Sequence, residues 1–312
     1  MTKTETELEI VNEPTSARFI ELVNLIFETE TWRINLYDYE TYLHGLHKMW
    51  LFLNIEKKTG RIVAAVSLAQ NTEHKDKAPL FSIGFYFCRP EYRGKGHAGV
   101  LFDKAMDIVK SHNCCLTGVP EMTPLYAKKY GFSKMPDYWH IQSKIYTKNL
   151  VYPEVHRDVI TKNYEHVDVK EFHNYDNTIC LLERSKFMEY WIQCAESTMV
   201  AFDKVHMKVV GYVTIRKLLK NRLALAPLYA DTPEIAKTLL RDVLKSIENI
   251  ETYECIITTF PECNKECKDV LQSFSSVEIP SYIEQRIQFT QSIIPVPEYK
   301  VFGIVEGGHS FT

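Results

Sequence analysis

The chain has 312 residues, 45% of them apolar and 25% charged, the balance of a globular protein with ample core. A formal net charge of −3 gives no general attraction to nucleic acid or to an anionic membrane surface, and no partner of either kind is expected. No apolar run is long enough to span a bilayer, and the polar start 1–7 lacks the apolar stretch of a secretory leader. The expected compartment is therefore the cytoplasm, with the eight cysteines reduced. Cys263 and Cys267 form a C-x3-C pair without a second pair at zinc spacing, so no metal is expected.

In chain order, residues 8–11 read as a short strand. Pro14-Thr15-Ser16 then opens a helix with Phe19, Leu22, Val23, Ile26 and Phe27 on one face. A break over 31–35 contains Trp32, and a second helix covers 39–47. His44 and His47 sit three apart on it, with no third ligand for a metal. Strands over 50–56 and 61–69 are joined at Lys58-Thr59-Gly60, a hairpin signal. A polar loop, 71–77, precedes the segment with the clearest pattern.

There, Phe81, Ile83, Phe85 and Phe87 alternate with Ser82, Gly84, Tyr86 and Cys88, the period of a strand. Pro90 stops it. After Arg93-Gly94-Lys95-Gly96-His97-Ala98, the residues Ala98, Leu101, Phe102, Ala105 and Val109 recur at helical spacing. The glycines thus sit in a turn from strand to helix, where bare backbone N–H groups meet the positive end of the helix. That is an anion site, with Arg93 and Lys95 adding charge at its rim. Gly84 inside the strand marks a bulge or a packing glycine, and the pattern leaves both open. A strand over 114–119, a short helix over 123–129, Gly131-Phe132 and a strand over 139–146 complete a mixed α/β layer plan.

That order, with an R-x-x-G-x-A turn at Arg93, Gly96 and Ala98 and the later Leu125-Tyr126 and Gly131-Phe132, resembles the GNAT superfamily of N-acetyltransferases over about residues 5–147. The second half keeps a spacing similar to the YitH/HolE-like acetyltransferases. Its residues are Tyr175-Asp176, Arg184, Phe187, Trp191, Gly211-Tyr212, Ile215-Arg216, Pro227-Leu228-Tyr229-Ala230-Asp231 and Val301-Phe302-Gly303-Ile304. The resemblance implies two tandem GNAT-like domains, 1–148 and 149–312, meeting at a polar, proline-marked stretch. The second half has a strand over 223–230 and a helix over 233–247, but no glycine between them. Asp231-Thr232-Pro233-Glu234 reads instead as a capped, acidic helix start that repels an anion. The second domain is therefore expected to be degenerate and not to bind coenzyme A. Its expected roles are shaping the substrate pocket, pairing subunits or binding an effector.

For the first domain the resemblance implies direct attack of an amine on the thioester of acetyl-CoA or another acyl-CoA, the only cofactor expected. Phe85, Tyr86 and Phe87 would pair with the pantetheine arm. Arg93, Gly94, Lys95, Gly96, His97, Ala98 and Gly99 would cradle the pyrophosphate. Tyr126 is the candidate general acid, although it stands five residues before Gly131 where the family pattern places its tyrosine four before. Glu121 is the candidate base; its other reading is a solvated acid or helix cap, and a water relay needs no carboxylate. Trp32, Tyr37 and Asp38 are expected to line the acceptor pocket, Asp38 either holding an ammonium group or capping the helix that follows. The expected function is N-acetylation of a small amine or amino acid. The alternatives are an inactive acyl-CoA sensor and a protein lysine or N-terminal acetyltransferase. Oligomeric state stays open.

Overall fold

The computed structural model describes residues 7–12, 14–30, 32–71, 78–155 and 158–310; the polar start but for its last residue, and the 71–77 loop but for its first, lie outside them. The first half runs β1 (Leu8–Asn12), α1 (Ser16–Thr29), α2 (Asp38–Gly45), β2 (Lys48–Glu56), β3 (Ile62–Gln70), β4 (Phe81–Cys88), α3 (His97–Val109), β5 (Cys114–Gly118), α4 (Thr123–Tyr130) and β6 (His140–Tyr146). The Thr15 hydroxyl caps α1 by accepting the Arg18 N–H, as the Pro-Thr-Ser signal implies. The second half repeats the plan. It comprises β7 (Val159–Asn163), α5 (Val169–Ile179), α6 (Ser185–Gln193), β8 (Ser197–Asp203), β9 (Val209–Leu218), β10 (Arg222–Ala230), α7 (Pro233–Ser246), β11 (Cys255–Pro261), α8 (Glu266–Gln272), β12 (Ser281–Phe289) and β13 (Val301–Gly303). The mixed α/β class and the element order read from the pattern both hold.

The two halves exchange strands. The sheet order is β1-β2-β3-β4-β5-β12-β6-β11-β10-β9-β8-β7, with β13 paired to β10. β12 pairs antiparallel with β5 through Arg286–Phe289 and with β6 through Ser281–Gln285. β6, which chain order places in the first half, lies fully paired against β11 of the second. Neither half can close its sheet without a strand from the other.

The same plan governs both centres. β4 and β5 run parallel and pair only at Phe81 and Ser82; β10 and β11 pair only at Leu223 and Ala224. Beyond these pairs the strands diverge. Against the strand before it, each of β4 and β10 slips register once, opposing Phe85-Tyr86 to Val66 and Ala226-Pro227 to Thr214. The second divergence is filled from within: β13 pairs with β10 there, and the Ile304 N–H donates to the Thr259 carbonyl of β11.

The largest core is shared between halves. Phe19, Tyr42 and Phe85 belong to one buried cluster with Phe187, Trp191 and Tyr229. Within it α2 crosses α6 so closely that a Cβ on Gly45 would stand 2.6 Å from the Phe187 Cα. A backbone atom cannot yield as a side-chain tip does. Gly45→Val is therefore expected to lower the stability of the whole chain by about 3 kcal/mol, read from its urea midpoint, with no separately stable half.

Candidate active site

The site is built around the slip in β4. Phe85 takes a left-handed φ of +48° at that slip, beside the gap between β4 and β5. Gly84 beside it has a different reason to be glycine. Its Cβ would lie 3.1 Å from the His309 ring and from Ser67 Oγ, so the bulge and the close packing share adjacent residues. A cavity of about 860 Å³ occupies the gap. Phe85, Tyr86 and Phe87 line it along β4, with Leu116 and Thr117 facing them from β5.

At one end the cavity reaches α3. Gly94 and Gly96 have φ of +76° and +82°, and a Cβ on either would meet nothing within 4 Å. Gly96 is the N-cap without a side-chain bond, and the first turn holds no acid. The opening N–H groups of α3 thus face the cavity with no carboxylate competing for them. Gly94, Gly96, His97, Ala98 and Gly99 all border it, as does Arg93, whose guanidinium donates to Glu30 at 2.6 Å and to the Cys88 carbonyl at 3.0 Å. Lys95 does not border it. Its ammonium turns back to the Glu91 carbonyl and over the Tyr92 ring. Lys129, from α4, stands on the wall instead.

Tyr126 also faces the cavity, packed edge-on to Tyr86 and stacked on Phe102. Its hydroxyl makes no hydrogen bond among the described residues, and burial pushes its pKa well above the ordinary phenol value. At the C-cap of α4, Gly131, at φ +79°, donates its N–H to the Tyr126 carbonyl. Glu121 is exposed and lies off the cavity wall, although Val119 and Met122 on either side of it line the cavity.

Of the three acceptor candidates, Trp32 lines the cavity. Tyr37 is 62% exposed and does not. Asp38 is buried away from it, accepting the Asn35 N–H at 2.7 Å and pairing with Arg216 of the second half at 2.8 Å. Arg216 in turn lies 3.6 Å over the Trp191 ring. Asp38 therefore joins the halves and does not line the cavity.

The remaining wall comes from residues the sequence pattern did not single out. Arg33 and Tyr42 enter from the α1–α2 side, Glu284 and Gln285 from β12, and Glu306-Gly307-Gly308 from the chain end. The Glu306 carboxylate accepts the N–H groups of Gly308, His309 and Ser310, folding the chain end into a tight turn, and accepts the Tyr42 hydroxyl at 3.4 Å. Burial raises its pKa despite those bonds. Thr117 donates to the Gly307 carbonyl, tying the turn to β5. His309 sits between the hydroxyls of Ser67 and Ser82, at 2.8 and 3.0 Å, where burial lowers its pKa to about 3. His140, near Arg33, is lowered to about 4 by burial. Among the described residues no three His, Cys, Asp or Glu side chains gather as a metal site, and no helix is long and apolar enough to cross a membrane.

The equivalent helix start in the second half is closed. The Thr232 hydroxyl accepts the Ile235 N–H, Pro233 removes a donor, and Glu234 adds negative charge. Asp231 does not cap the helix; it accepts the Tyr175 hydroxyl and pairs with Lys300 at 2.9 Å.

Two consequences are measurable. Arg216→Met leaves the Asp38 carboxylate buried without its partner and is expected to cost about 3–5 kcal/mol. Adding Asp38→Asn should return most of that loss in urea unfolding. The second concerns pH. A histidine held neutral when folded takes up its proton only on unfolding, so stability is full above pH 6.5 and falls as pH drops towards about 4 for His140 and about 3 for His309. Each contributes a loss of about 2 kcal/mol between pH 7 and pH 5. Glu306, with its raised pKa, offsets part of this because its folded carboxyl gains a proton earlier than the unfolded one. Unfolding free energies at the two pH values should therefore show a net fall on acidification.

Known proteins share this architecture. Residues 18–132 match a model described as the acetyltransferase (GNAT) family, and residues 172–283 match an acetyltransferase (GNAT) domain. Together these matches span well over half of the chain. An uncharacterized protein of Caenorhabditis elegans is 31% identical over 175 residues, which is 51% of this chain and 53% of that protein; the match takes in about half of the relative's length. A tandem GNAT protein from the clavulanic acid biosynthesis pathway superposes with a TM-score of 0.67 at 15% identity, over 91% of this chain and 98% of that one. A Pyrococcus horikoshii protein described as a candidate acetyltransferase superposes with a TM-score of 0.70 at 13% identity, over 99% of both chains. These two likenesses speak for the fold. With two GNAT domains in tandem and a single sheet between them, the chain belongs to the GNAT acetyltransferase family.

Proposed function

We propose that the protein is an acyl-CoA-dependent N-acyltransferase that uses acetyl-CoA, with one cofactor site per chain. The observation that carries this reading is the continuous cavity from the uncapped start of α3, past the bulge in β4, to the chain-end turn. A pyrophosphate fits the bare N–H groups of His97–Gly99, with Arg93 and Lys129 at its rim. Open space at Gly94 and Gly96 lets it approach the backbone. Phe85, Tyr86 and Phe87 would align the pantetheine arm, placing the thioester in the divergence of β4 and β5. The acyl group arrives already activated as a thioester, so the protein's task is orientation, proton transfer and charge stabilisation.

Tyr126 is the acid in this scheme. Burial keeps it protonated, and its unbonded hydroxyl is free to hand a proton to the departing sulfur as the amine nitrogen bonds to the acyl carbon. For the base, Glu121 is replaced by Glu306, a buried carboxylate on the wall whose raised pKa brings it nearer neutrality. It would take the amine proton directly or through water. The acceptor is a small molecule, because Glu284, Gln285 and the chain-end turn wall that part of the cavity.

The second half would not bind coenzyme A. β13 fills its divergence, Pro227 replaces a donor at its bulge, and Thr232 caps its helix. Its role is to complete the acceptor pocket.

Calorimetric titration with acetyl-CoA should give one site per chain. Gly96→Glu combined with Arg93→Glu should remove detectable binding, since it puts carboxylates where the phosphate lies. Absence of binding by the wild type at millimolar ligand contradicts the proposal. Tyr126→Phe should keep acetyl-CoA affinity and lower kcat by about 100-fold. Binding without turnover on any amine would turn the reading towards an acyl-CoA sensor.

A further inference from the structure

The acceptor end of the cavity holds a cation whose hydrogen-bonding capacity is almost unused. Arg33 lies in the connection between α1 and α2 with its side chain 8% exposed. A guanidinium presents five N–H donors. Among the described residues those of Arg33 make no hydrogen bond, and the ionic contact is a loose one, 3.5 Å to Glu284 Oε2. The other two well-buried arginines do not line this cavity: Arg184 is held in a fork by both oxygens of Asp176, at 2.9 and 2.7 Å, and Arg216, whose Nε and Nη2 also make no hydrogen bond among the described residues, is stacked on Trp191 with Asp38 at 2.8 Å.

Glu284 makes only that ionic contact to Arg33, and its carboxylate is anchored from the other side. Gln142 donates to one and Thr259 to the other, which fixes the carboxylate on the sheet. The Arg33 donors open onto the cavity instead of being sealed in packed protein, and a guanidinium this little exposed favours a polar partner there. Arg33 and Glu284 both line the cavity, so a molecule inside it can supply that group. A planar carboxylate is the natural match, since it accepts two parallel N–H bonds from the fork. The position argues against the pyrophosphate: Glu284 is on β12, separated from β4 by β5, whereas the start of α3 follows β4. The same wall carries Glu306 near Tyr42, so a cation has a counterpart there as well.

We infer that Arg33 binds the carboxylate of the acceptor, and that the acceptor class is a small molecule carrying both an amine and a carboxylate, as an amino acid does. This rests on the acyltransfer reading and adds the substrate class to it. Arg33 is a specificity residue here, and its role is to reject amines that lack the acid.

The test pairs each amino acid with its own carboxamide and follows thiol release from acetyl-CoA. In the wild type the acids should exceed their amides by about 100-fold in kcat/KM. In Arg33→Gln the ratio should fall to about 3 or less, through loss on the acids alone. Amides that serve as well as acids in the wild type overturn the inference, as does an Arg33→Gln variant that slows acids and amides alike. Acetyl-CoA titration of the same variant reports its fold and its cofactor site; weakened cofactor binding would put Arg33 on the phosphates and also overturn the inference. Where no amine turns over, N-acetyl amino acids and N-acetyl amino acid amides are titrated directly. Binding of the acids that is lost in Arg33→Gln supports the inference, and binding of neither, or of both equally, overturns it. Failure of acetyl-CoA itself to bind the wild type strikes instead at the acyltransfer reading.

Discussion

The exchange of strands between the halves is the constraint on which the rest depends. β12 enters the first sheet beside β5, and β6 enters the second beside β11, so each half is an incomplete sheet without the other. An exposed β5 edge would leave a row of unpaired backbone groups, and β12 removes it. The same strand carries Glu284 and Gln285 to the cavity wall. A core shared by Phe19, Tyr42, Phe187 and Trp191, with the Asp38–Arg216 pair at its margin, then fixes the halves against each other. Domain pairing and pocket construction are one event in this fold.

The last described residues give the halves different fates. Residues 301–303 form β13, which fills the divergence between β10 and β11. A few residues on, the chain reaches the other divergence, where Glu306 gathers three N–H groups into a turn and His309 seats between Ser67 and Ser82. That segment packs beneath β4 without filling the gap, and leaves a cavity whose wall it forms. One strap thus closes one site and furnishes the other. Gly84 is what lets the strap lie so close to β4.

Much of this was legible in the chain. Period-two alternation at 81–88, helical spacing from Ala98 and the glycines between them located β4, α3 and the helix start without a side-chain cap that joins them, because local backbone chemistry fixes those features. The acidic, proline-marked start of α7 is equally plain, and Thr232 caps it. What escaped depends on long-range pairing. Nothing local in Glu284 or Glu306 tells that β12 and the chain end cross into the first half. Asp38 looked like a substrate group or a helix cap; its partner lies 178 residues away at Arg216. Lys95 stands between the two glycines in the chain, yet its ammonium turns to the Glu91 carbonyl. Arg33 sits one residue from Trp32, which was singled out, but only packing shows that its donors are unmet.

The most direct test of the account is a crystal structure with coenzyme A bound. The account predicts the pyrophosphate on the N–H groups at the start of α3, the pantetheine arm along Phe85–Phe87, and the thiol near Tyr126 with the chain-end turn still in place. Coenzyme A found between β10 and β11, or bound in the first half only after the 306–310 turn has left, would contradict it.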